Sequence, residues 1–124
     1  MSDKPVKIPG PDHPIGITPE PRRVVVRAGG RVIADSRRAL SLKEAAYPAV
    51  VYVPREDADM ALLEATDHAT YCPYKGDCAY FSIPIAGARG TNAVWSYERP
   101  YPAVAAIAGR LAFYRDRVDS IAFL

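Results

Sequence analysis

Six of the twelve prolines in this chain, Pro5, Pro9, Pro11, Pro14, Pro19 and Pro21, fall within its first 21 residues. Each removes a backbone donor and fixes φ, so neither a regular helix nor a central strand can be built there. Residues 1–21 are therefore expected to form an extended arm, with Val6, Ile8, Ile15 and Ile17 as its only sizeable apolar groups. The arm can lie against the body or hang free. Within it, Gly10-Pro-Asp-His13-Pro-Ile15 reads as a turn able to reach the rim of a pocket. The remaining residues, 22–124, have the length of one ordinary domain.

Beyond the arm the pattern is that of strands. Val24, Val25 and Val26, then Gly29-Gly30, then Arg31-Val-Ile-Ala-Asp35 form the clearest hairpin, with the glycines supplying positive φ at the turn. Arg23, Val25 and Arg27 share one face and Val24 and Val26 the other, so the arginines read as a solvated coat. Ala39–Ala46 fits either a short strand or a helical turn. Ala49–Val53 reads as a strand ending at Pro54-Arg-Glu-Asp57, where Asp57 is placed to cap a short helix carrying Met60, Leu62 and Leu63 inward. Cys78–Ile85 alternates in the manner of a half-buried strand. Thr91–Tyr97 returns as its partner, with Trp95 and Tyr97 on one face. Val104, Ile107, Ala108 and Leu111 recur at the spacing of an amphipathic C-terminal helix, interrupted by Gly109, and Ser120–Leu124 suits an edge strand. The expected fold class is α+β and β-rich, built of antiparallel hairpins with one C-terminal amphipathic helix and one short helix.

Composition narrows the partners. Sixteen basic and fourteen acidic residues leave a formal charge of +2, too balanced to mark nucleic acid or an anionic membrane surface as the main partner. No run of about 18 apolar residues is present and the N-terminus lacks the apolar stretch of a secretory signal, so a cytoplasmic location is expected. Cys72 and Cys78 are the only two cysteines, which is neither a disulfide framework nor the paired knuckles of a structural zinc site. Reduced thiols are the default, with a short local disulfide across a hairpin as the alternative, and neither a cofactor nor a metal is expected. His68, Cys72 and Cys78 with Asp67 or Asp77 would make only an incomplete site.

Chemistry concentrates in His68-Ala-Thr-Tyr-Cys-Pro-Tyr-Lys-Gly76, where an imidazole, a thiol, two phenols and an ammonium sit in a segment that its Pro and Gly mark as a turn. This stretch holds one and overlaps another of seven motifs that occur in order: Gly10-Pro-Asp-His-Pro-Ile15, Ala34-Asp-Ser36, Pro54-Arg-Glu-Asp57, Thr66-Asp-His68, Cys72-Pro-Tyr-Lys-Gly76, Ala93-Val-Trp-Ser-Tyr97 and Ala112-Phe-Tyr114. Together they resemble the DUF427 family of small bacterial proteins, over nearly the whole chain. The resemblance implies a β-tent-like or sandwich arrangement of short antiparallel sheets and no established reaction. A nucleotidyltransferase-like label sometimes given to that family finds no support in the residues, since the chain has no phosphate-cradling glycine loop followed by lysine and hydroxyl and no paired metal-binding aspartates.

Carried onto this chain, the family pattern points to Arg55, Glu56, Asp57, His68, Tyr74, Lys75, Trp95 and Tyr97 as the residues of a site. Aromatic walls with a few convergent charges describe a small-molecule pocket, with Arg55, Asp57, Tyr74, Lys75, Trp95 and Tyr97 as the ligand-binding set. The alternative is a hydrolase or transferase in which His68 or Glu56 acts as acid or base and Cys72 as a nucleophile activated by His68. A third reading is a protein-interaction module that uses the Tyr and Trp surface. The ligand is an unidentified small molecule, and a self-complementary sheet edge leaves a homodimer open.

Overall fold

The computed structural model describes residues 4–124, and among them the regular structure is mostly antiparallel strand, with short 3-10 segments between. Ten strands fall into three sheets: β1 (Ile15–Pro19), β4 (Leu40–Glu44) and β5 (Val50–Tyr52) in the order β1-β4-β5; β2 (Val24–Ala28), β3 (Arg31–Ser36) and β10 (Ser120–Phe123) in the order β10-β2-β3; and β6 (Glu64–Cys72), β7 (Gly76–Ser82), β8 (Val94–Ser96) and β9 (Ala112–Phe113) in the order β6-β7-β8-β9. The fold is thus β-rich with antiparallel hairpins, as the alternation implies.

The four-stranded sheet is the shared layer, because its two faces feed two different cores. Phe81, Ile83, Val94 and Phe113 pack with Val24, Val26 and Ile33 of the β2–β3 hairpin. The opposite-facing Cys78, Tyr80, Trp95, Tyr97 and Ala112 pack with Leu42 and Tyr52 of the β4–β5 pair. A strand buried on both faces must carry apolar groups at odd and even positions alike, and β7 does so. Single bridges join Val53, just after β5, to Leu111, just before β9, and Ala34 of β3 to Ala58, after the Arg55–Asp57 turn.

Helix is confined to short 3-10 segments. The amphipathic C-terminal stretch is realised as Pro102–Ile107, with Val104 and Ile107 fully buried. Pro102 opens it, and Gly109 at a φ of +70° turns the chain away, so that Leu111 bridges to Val53. The short helix is Met60–Leu62, and its cap is not Asp57. That residue lies inside a preceding 3-10 turn, Arg55–Asp57, and its carboxylate is drawn off to Arg38 at 2.9 Å and Ser36 at 2.7 Å.

Two further expectations are revised. The His68–Gly76 segment is not one turn: β6 runs through Cys72, with Thr70 opposite Cys78 and Tyr71 opposite Asp77, and only Pro73–Lys75 reverse direction before Gly76 at a φ of +105°. β-branched and aromatic residues at 70 and 71 suit a pleated ladder better than a turn. The ambiguous Ala39–Ala46 stretch resolves to strand β4, pinned by neighbours on both sides. Cys72 and Cys78 are free thiols, and among the described residues no helix is long and apolar enough to cross a membrane.

Candidate functional site

The face of the four-stranded sheet that meets β4 and β5 does not close completely. A hollow of about 220 Å³ remains, walled by Tyr52, Tyr80, Trp95, Tyr97 and Tyr114 and reached by Glu44 and Lys75. Its volume is about that of seven waters in the liquid. The period-2 rule builds it. Along β8 and the residue that follows it the odd positions carry Trp95 and Tyr97 to this side, Tyr80 comes from β7 at the position paired with Trp95, and β4 presents Leu40, Leu42 and Glu44 on one face.

The aromatic wall is locked internally. The Trp95 indole N–H donates to the Tyr52 hydroxyl at 3.3 Å with the two rings edge to face, and Tyr114 lies tilted against the indole at 4.6 Å. Thr70 and Tyr80 share a hydroxyl hydrogen bond of 2.9 Å. Burial pushes the Tyr52, Tyr80 and Tyr97 phenols well above their ordinary range, so they remain neutral and can donate. Burial likewise pushes the Cys78 thiol up, which keeps it protonated and unreactive.

Against this wall stands a linear charge chain. Lys75, buried at the turn after β6, donates from Nζ to Oε1 of Glu44, and Oε2 of the same carboxylate meets Nε2 of His13 at 2.7 Å. The ammonium also faces the Tyr97 ring, 5.7 Å from its centroid. His13 stacks on Tyr74 with ring centroids 4.1 Å apart and planes within 4°. Burial works to raise the Glu44 carboxyl, but the hydrogen bonds from Lys75 and His13 and their charge outweigh it and hold the group below its ordinary value. The carboxylate is therefore ionised near neutrality and holds the ammonium at the hollow.

The arm explains how His13 arrives there. Lys7 N–H donates to the Pro73 carbonyl at 2.9 Å, the Tyr71 hydroxyl donates to the Pro5 carbonyl at 2.5 Å and Lys4 pairs with Asp77 at 2.8 Å, so residues 4–14 run along the β6–β7 turn. The Gly10–His13 turn then points the imidazole at Glu44.

Of the residues singled out from sequence, Lys75, Trp95 and Tyr97 share this hollow, and Tyr74 joins them through its stack on His13. The others are elsewhere. Arg55 donates to the Gly109 carbonyl at 2.7 Å and to Glu98 at 2.9 Å, with Ser96 at 3.3 Å, and so ties the 3-10 turn to the end of β8. Asp57 is engaged by Arg38 and Ser36. Glu56 is exposed beside Arg55 in a shallow depression next to Gly109, and His68, exposed on edge strand β6, packs its ring edge against Tyr80 at the rim of a third depression with Asp77 and Glu98. His68, Glu56 and Lys75 thus occupy three separate concavities, and the geometry does not join His68 with Glu56 as an acid–base pair. Cys72 is partly buried at the end of β6, packed against the aromatic core.

Glu44, Tyr52, Tyr80 and Tyr114 belong to the hollow without having been marked for it. Glu44 carried one readable signal: it continues the even-numbered Leu40 and Leu42 face, so a strand there directs a carboxylate inward. Tyr114 carried only its place in the Ala112-Phe-Tyr114 motif, and Tyr52 and Tyr80 carried none, because a buried tyrosine in a core and one in a pocket wall look the same in one dimension.

A family model described as "Domain of unknown function (DUF427)" matches residues 16–123. No curated protein matches the chain.

Proposed function

We propose that this chain, which belongs to the DUF427 family, is a binding module for a small planar molecule bearing an acceptor oxygen, received in the hollow at Lys75. The observation that carries this reading is a buried ammonium set among neutral phenols and an indole. Of its three donors, one is committed to Glu44, which leaves others for a carboxylate or carbonyl of the occupant. Flat rings on several sides favour a flat ligand, and the pairing of Lys75 with Glu44 leaves the site without a large excess of positive charge, so a neutral carbonyl or a single carboxylate suits it better than a polyanion. Arg55 and Asp57 act in this reading as structural ties.

Trp95 is the only tryptophan of the chain, so its emission reports on the wall itself. Titration with small planar carboxylates and amides, benzoate and benzamide among them, is expected to change Trp95 fluorescence saturably, and Lys75→Met is expected to remove the response while the protein still unfolds cooperatively. Absence of any response, or equal binding by Lys75→Met, would overturn the proposal.

A further inference from the structure

We infer that the occupant of the Lys75 hollow carries an apolar extension, and that a second hollow beside it is the subsite for that extension; this rests on the reading of the Lys75 hollow as a binding site. The second hollow measures about 430 Å³ and is lined by Val51 of β5, Phe113 of β9 and Ile121 and Phe123 of β10. It shares Pro48, Val50, Trp95 and Tyr114 with the first, so the two adjoin at the tilted Trp95–Tyr114 ring pair.

Their chemistry is complementary. The Lys75 side offers an ammonium, a carboxylate and phenols, whereas the second side is aliphatic and aromatic carbon with Arg115 as its one charged lining group. Val51, Ile121 and Phe123 pack against the first core yet stay only partly buried, leaving apolar surface facing this hollow. A ligand with a polar planar head on Lys75 and an alkyl or aryl tail over Trp95 and Tyr114 covers that surface, which places it in the class of substituted aromatic or acyl carboxylic acids.

A series of 4-alkylbenzoates, from benzoate itself to 4-hexylbenzoate, tests this with Trp95 fluorescence and calorimetry on the full chain. Affinity is expected to rise about threefold to fourfold per added methylene until the hollow is filled. Val51→Ser and Ile121→Ser, on two different sheets, are each expected to flatten the rise while benzoate, which does not reach them, keeps its affinity; unfolding curves confirm that each variant is folded. Benzoate bound with no gain from the chain, or a gain that survives in both variants, overturns the inference and leaves the Lys75 reading standing. A gain insensitive to Lys75→Met overturns the Lys75 reading and keeps the apolar subsite. Silence from the whole series overturns both.

Discussion

Glu44 decides how Lys75 is presented. Its two oxygens hold the lysine on one side and His13 on the other, and its side chain is only 15% exposed. Because its folded value lies below its ordinary 4.5, the stability it contributes is complete above that value and is lost as pH falls through the lower folded one. Urea unfolding from pH 6 down to pH 3 is expected to show wild type losing its advantage over Glu44→Gln within that window, with the two curves converging at the acid end. Asp35 and Asp57, also held low by arginine partners, titrate in both proteins with the same sign and leave the difference intact. A gap that stays constant with pH would mean the carboxylate is not held by these contacts. The signal for Glu44 was legible only as alternation with Leu40 and Leu42, and nothing local in the sequence links residues 13, 44 and 75, which are separated by 31 residues at each step.

Among the elements, the β2–β3 hairpin was the most readable, because its turn chemistry is local: Gly29 and Gly30 sit at φ of +58° and +75°. Their replacements differ, however, in a way the sequence does not reveal. A Cβ at Gly29 would lie 2.6 Å from the Ile85 carbonyl oxygen, whereas one at Gly30 meets nothing within 4 Å. Gly30→Ala is expected to cost about 1 kcal/mol from the left-handed backbone alone, and Gly29→Ala about 3 kcal/mol once the overlap is added. Thermal unfolding of both variants checks this, and equal losses would mean that the segment around Ile85 yields easily. The β6 strand and the Arg55–Asp57 turn were less readable for the converse reason. Pro73 and Gly76 suggest a nine-residue turn locally, whereas pairing of β6 with β7 restricts it to three residues, and Asp57 has a longer-range partner in Arg38 that outcompetes a cap.

For the molecule as a whole, the arm poses the question of where the folding unit begins. β1 pairs with β4 along five positions from Ile15 to Pro19, its one proline tolerated at a sheet edge, while residues 4–14 make scattered contacts with the β6–β7 turn. We expect removal of residues 1–14 to lower the melting temperature by roughly 4 to 8 °C, consistent with a loss of about 1–2 kcal/mol, and removal of 1–21 to cost far more by uncovering the β4 edge and Leu42. Calorimetry of the two truncations decides it, and equal melting points would place β1 with the dispensable arm.

What the sequence determined by itself is what short-range physics dictates: an arm barred from helix by its prolines, hairpins declared by glycine turns and period-2 alternation, and two faces on β7 and β8. Family membership was legible too, because ordered motifs survive without coordinates. The tertiary structure alone decided that Lys75, Trp95 and Tyr97 share a hollow with Glu44 while Arg55, Glu56 and His68 do not. Alternation states which side of a strand a residue takes, but the surface that side meets depends on how three sheets stack, a matter of long-range packing that no local spacing encodes.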